Sequence, residues 1–90
     1  MVIFAATYTY DPERDDIHDV RPLHREYLKT LFDDGKLLAS GPRGDGALLI
    51  LSADSEQQAI DLLGGDPFMK SGIVLELDIK EWTVVYGPWA

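Results

Sequence analysis

The chain contains no cysteine, so neither a disulfide nor a thiolate-held metal can staple the fold. Basic residues are scarce: 8 Lys and Arg stand against 16 Asp and Glu, for a net charge of -8. That balance argues against a nucleic-acid backbone or an anionic membrane as partner, since both require a basic surface. Apolar runs are short, and none approaches the roughly 20 residues a membrane helix needs. The start of the chain lacks the basic region that precedes the apolar core of a secretory signal. Histidines are limited to His18 and His24, six positions apart, which is not the i, i+4 spacing of a helical metal pair. Gly41-Pro42-Arg43-Gly44-Asp45-Gly46 lacks the Gly-Lys-Ser/Thr of a phosphate loop and joins two strands instead of opening a helix. The paired aspartates Asp15-Asp16 and Asp33-Asp34 read as solvated charges. With ninety residues, one domain over 1–90 is expected, burying about 60–65% of the surface its unfolded form exposes. A chain this small gains stability most naturally by associating with a copy of itself. The lack of cysteine fits a reducing cytoplasm.

What is present is a pattern of alternating elements. Val2–Tyr10 is β-branched and aromatic and reads as a strand stopped by Asp11-Pro12. Asp19–Asp34 carries Val20, His24, Leu28 and Leu31 on one helical stripe, with Leu23 and Tyr27 alongside. Arg25, Glu26 and Lys29 fall on the solvated side. Pro22 is best tolerated in a first turn, which places the helix start near Asp19–Arg21 with Asp19 as cap. A start at Asp16 would put Pro22 inside the helix and bend it. Gly35 suits the left-handed exit. Lys36–Pro42 and the continuously apolar Ala47–Ser52 read as a hairpin turned at Gly44-Asp45-Gly46. Ser55 and Gln58 fit a capping box that opens a second helix ending at Gly64-Gly65. Asp66, Pro67 and Gly72 bracket one more helical turn. Ile73–Tyr86 reads as a last strand, its parity switching near Lys80–Trp82, which a bulge there or a change in what covers each face would explain.

The order βαββαβ is that of an α+β sandwich of the ferredoxin-like type. It implies a four-stranded antiparallel sheet, with two helices on one face and the other face open. Much of that open face is apolar, so a homodimer joined sheet to sheet is expected.

His24 lies on the apolar stripe, and a buried imidazole needs a partner, because an unmade hydrogen bond there costs about 1–3 kcal/mol. Asp66 is placed on the same side of the sheet. Singly, each has a plain structural reading, as a core histidine and a helix cap. Together, an Asp66 carboxylate on His24 would fix the tautomer and orient the ring for acid–base work near neutral pH. Arg21, one turn before His24, can hold an anionic group through its two-pronged guanidinium. The backbone of Ser40, Gly41 and Pro42, at a strand exit, can approach a ligand closely. Tyr8 and Tyr10 line either a pocket or the dimer face.

Arg21-Pro22-Leu23-His24, the run Gly35–Pro42, Asp66-Pro67-Phe68 followed by Gly72, and Trp82 in the last strand together resemble the YciI-like family (YCII-related domain) over nearly the whole chain. The resemblance implies a dimeric α/β-barrel assembly of ferredoxin-like units and a His–Asp centre that maps onto His24 and Asp66. Muconolactone isomerases, cofactor-free monooxygenases and a dehydrochlorinase of chlorinated hydroxyquinols share that fold. The hairpin at Arg43–Gly46 is shorter here than in many relatives. The expected function is a small cytoplasmic enzyme without metal or organic cofactor, acting on a small molecule by isomerase- or lyase-type proton transfer. The alternative is a non-catalytic ligand-binding or accessory dimerisation domain with a purely structural His–Asp pair.

Overall fold

The computed structural model describes residues 2–90. Strand β1 (Val2–Tyr10) leads into helix α1 (Ile17–Asp33), and strands β2 (Leu37–Arg43) and β3 (Gly46–Ala53) form a hairpin. Helices α2 (Glu56–Gly64) and α3 (Pro67–Lys70) then precede strand β4 (Val74–Glu81). The sheet order is β2-β3-β1-β4, and each neighbouring pair is antiparallel. This is the ferredoxin-like α+β fold: β3 is inserted between β1 and β2, which are joined by the α1 crossover.

Alternation along β1 divides the molecule. Phe4, Ala6 and Tyr8 face the helices and meet Leu49, Leu51 and Ala53 of β3, Leu28 and Leu31 of α1, and Ala59 and Leu63 of α2 in one core. The opposite face carries Ile3 and Ala5 of β1 beside Leu48 and Ile50 of β3, as the register requires. On β4 the same face is polar, with Asp78 and Glu76 opposite Thr7 and Thr9.

Helix α1 starts earlier than Pro22 suggests. Its cap position is Asp16, whose side chain makes no capping bond, and Asp19 lies inside the first turn. Pro22 is therefore interior, and the His18 carbonyl loses the amide that would normally bond it. Leu23 is not part of the buried stripe: it is 57% exposed. On a helical wheel it stands about 100° from His24, past the edge of the face. The other end of α1 follows expectation. Gly35 has φ 75, and the amides of Gly35 and Lys36 bond the carbonyls of Phe32 (3.1 Å) and Leu31 (2.9 Å), the paired bonds of a Schellman exit. The chain thus turns sharply from α1 into β2.

Ser55 caps α2 by accepting from the Gln58 amide at 3.1 Å, while the Gln58 side chain accepts from the Asp54 amide at 2.6 Å. Strand β4 ends at Glu81, short of the expected Tyr86. Trp82 makes a last bond to the Ile3 carbonyl at 2.8 Å, after which the chain leaves the sheet and Tyr86 is 94% exposed. The bulge lies at the other end of β4. Thr9 pairs with Glu76 but Tyr10 with Val74, so Leu75 is extruded and Val74 takes its place against the core. At the tip of the β2–β3 hairpin, Gly46 lies so close to the Tyr8 carbonyl that a Cβ there would overlap it.

Candidate active site

Asp66 ends the Gly64-Gly65 turn in extended backbone and caps α3, its carboxylate accepting from the Phe68 amide at 2.9 Å. The same carboxylate lies 2.8 Å, through each oxygen, from Nδ1 of His24 on α1. Tyr8, from β1, donates its hydroxyl to it at 2.9 Å. The Asp66 side chain has 0% exposure. A buried carboxylate is tolerable only when paired and hydrogen-bonded, and three elements supply the partners.

The network assigns the tautomer. The Tyr8 hydroxyl and the Phe68 amide already donate to Asp66, so the carboxylate is the acceptor toward His24 and Nδ1 carries the proton. No protein group among the described residues bonds Nε2, and no buried side-chain nitrogen or oxygen among them lacks a partner. Nε2 therefore keeps contact with the solvent of the cleft that His24 lines. The ring is also held from its face: it stacks on Phe68 with centroids 3.9 Å apart and planes 5° from parallel. Tyr10 meets Phe68 edge-on at 5.3 Å.

Burial first, and then the neighbouring Asp66 carboxylate, push the Tyr8 phenol well above the usual tyrosine range. Tyr8 is therefore a fixed donor at physiological pH. Burial also raises Tyr10, with the guanidiniums of Arg21 and Arg25 pulling the other way.

The cleft opens between α1 and β2 and has a volume of about 580 Å³. His24 lines it, and so do Arg21, Ser40, Gly41 and Pro42, so these five sequence-derived candidates share one space. Asp66 stands behind the imidazole and does not line the cleft. Ser40–Pro42 lie within β2, not at its exit, since that strand continues to Arg43. Ser40 and Pro42 pair with Leu49 and Ala47 and so share their helix-side face. Arg25 and Lys29, expected on the solvated side of α1, line the cleft too.

The sequence leaves Tyr8 undecided between pocket and dimer face, gives Phe68 no role at the imidazole and places Arg25 in solvent. The signal for Arg25 was available: on the helical wheel Arg21, Phe32 and Arg25 fall within about 40° of one another at one border of the apolar face. Nothing in the sequence marks the distance between Tyr8 and Asp66, 58 positions apart. Among the described residues, no three His, Cys, Asp or Glu side chains converge as a metal site needs, and no helix is long and apolar enough to cross a membrane.

Comparison with known proteins gives the same architecture. The chain is 38% identical over 61 residues to an uncharacterised protein, YjpA, of Bacillus subtilis (strain 168), covering 66% of this chain and 71% of that one. Its fold is similar to that of 5-chloro-2-hydroxyhydroquinone dehydrochlorinase (TftG) from Burkholderia phenoliruptrix AC1100, solved in complex with 2,5-dihydroxybenzoquinone. That match has 24% identity, covers 90% of this chain and 93% of that one, and has a TM-score of 0.79. Muconolactone isomerase is similar in fold at 13% identity, with 100% and 94% coverage and a TM-score of 0.61. The YCII-related domain matches residues 2–83, nearly the whole fold including the strands, helices and capped turn that bring His24 to Asp66, and the chain belongs to that family.

Proposed function

We propose that the chain is a small acid–base enzyme, working without metal or organic cofactor, that moves a proton on a small molecule held in the α1–β2 cleft. The observation that carries this reading is the His24 Nδ1–Asp66 contact at 2.8 Å on a histidine that lines the cleft. His24 is the general acid–base and Asp66 its orienter. Nε2 takes a proton from a carbon beside a carbonyl; the proton then returns at another carbon, which is isomerisation, or a leaving group departs, which is elimination. Arg21 and the Ser40–Pro42 segment position the substrate. Fold relatives that are by name a dehydrochlorinase and an isomerase support this reaction class. The reading includes a single domain over 1–90 and a cytoplasmic homodimer joined through the face bearing Ile3, Leu48 and Ile50, in the manner of a dimeric α/β barrel.

The test is hydrogen–deuterium exchange at carbon, followed by NMR in D2O over a panel of lactones, enols and chlorinated phenols. The expected result is protein-dependent exchange that falls by about 10²–10⁴-fold in His24→Ala, with circular dichroism and the urea midpoint showing that the variant still folds. Exchange equal in the variant and the parent would leave a ligand-binding or accessory dimerisation domain with a structural His–Asp pair.

A further inference from the structure

The cleft has a charge opposite to that of the chain. Acidic residues outnumber basic ones 16 to 8, yet among the described residues no Asp or Glu lines the cleft, while Arg21, Arg25 and Lys29 do. These three stand at i, i+4 and i+8 on α1, about 6 Å apart along the axis. Lys29 is already committed, its ammonium 2.7 Å from Asp33. Among the described residues, neither Arg21 nor Arg25 has a carboxylate within ion-pair distance. In so acidic a chain, two adjacent guanidiniums without a protein anion, on the wall of a cleft, suit an anionic ligand. Beside them the lining is largely apolar, with Leu28 from α1 itself and Leu37, Leu49 and Pro42 from the sheet.

We infer that the substrate is a small organic acid with an apolar, ring-sized body, whose carboxylate is clamped by Arg21 and Arg25, on either side of His24 along α1, beside the reacting carbon. The inference rests on the acid–base reading of the same cleft and adds Arg25 as a specificity-determining residue. The planar fork of arginine matches a carboxylate through two parallel bonds. Phosphate is the poorer fit, because α1 faces the cleft with its middle turns and offers none of the backbone N–H groups that a helix N-terminus or glycine-rich cradle supplies.

Benzoate and its neutral isostere benzamide are the probes, titrated into ¹⁵N-labelled full-length protein and followed by NMR. Benzoate is expected to shift the amides of Arg21, Arg25, Ser40 and Gly41 saturably and to bind at least about tenfold more tightly than benzamide. Arg25→Gln and Arg21→Gln should each weaken benzoate by about tenfold and leave benzamide unchanged; added salt should weaken benzoate alone. Comparable affinity for both probes, no saturable shift at millimolar benzoate, unchanged benzoate affinity in R25Q, or displacement of benzoate by an equal concentration of inorganic phosphate would each overturn the inference. His24→Gln separates the two readings, since the clamp predicts that it still binds benzoate. Arginine-dependent benzoate binding without any His24-dependent proton exchange would sink the acid–base reading and keep the clamp. Exchange that is His24-dependent but indifferent to substrate charge would do the reverse.

Discussion

Asp66 is the residue on which the centre turns, and Tyr8 is the partner whose removal says most. Tyr8→Phe keeps the ring and deletes one of three donors to a buried carboxylate. It should lower stability at neutral pH by about 1–3 kcal/mol, read from urea denaturation. The pH dependence has a definite sign. An unfolded tyrosine loses its proton near pH 10, whereas burial and Asp66 make folded Tyr8 hold its own to higher pH. Below about pH 10 both states are protonated and the donor's contribution is intact; above it the unfolded state gives up a proton that the folded state keeps, so stability falls as pH rises. The wild-type advantage over Tyr8→Phe should therefore shrink between about pH 9 and 11. A gap constant across that range would mean that Tyr8 is not held protonated by the fold. At this scale the sequence was legible where one residue carries its own reason. His24 stood out as an imidazole on an apolar stripe, and Asp66 as an aspartate before a helical proline. Phe68 and Tyr8 had no such mark, because an aromatic residue on an apolar face satisfies core packing equally well.

Helix α1 supplies both the imidazole and the cationic wall, and it does so across an interior proline. Pro22 leaves the His18 carbonyl without its helical donor, so Pro22→Ala should raise stability by about 1–2 kcal/mol, seen as a higher urea midpoint with an unchanged slope. No gain would mean that the first turns are already held from outside the helix, for which Arg14 is placed: it bonds Asp16 at 2.9 Å and 2.7 Å and the Ser71 carbonyl at 2.7 Å. This explains why the sequence misplaced the helix start. Propensity argues locally from Pro22, but a side chain two residues before the cap and a loop 57 positions away decide the matter. The caps at Gly35, Ser55 and Asp66 were legible because capping is settled within three or four residues. The end of β4 was not, since the alternation of Trp82, Val84 and Tyr86 continues after the sheet has no strand left to receive it. The Leu75 bulge was hidden for a related reason: strand period names a face only while the register is unbroken.

At the scale of the molecule, the proposed assembly is tested at the face opposite the helices. If copies join there, Leu48→Lys should turn a dimer into a monomer, measured by light scattering after size exclusion, because a lysine on an apolar patch of Ile3, Ala5 and Ile50 would be desolvated on joining. A wild-type chain that runs as a monomer at micromolar concentration would refute the sheet-to-sheet assembly. The fold class itself was readable, since βαββαβ in ninety residues leaves few ways to cover one sheet. The placing of the centre has a consequence for how the protein comes into being. Tyr8, His24 and Asp66 come from the beginning, the second element and the last third of the chain, and no two of them lie in one element. A growing chain can make β1, α1 and the β2–β3 hairpin, with His24 and the arginine wall, before Asp66 exists to orient the imidazole. On the proposed reading, the oriented imidazole arrives in one step, when Asp66 emerges and α3 docks. In refolding, the helical signal should therefore recover before His24-dependent exchange does, because contacts this distant in sequence close late.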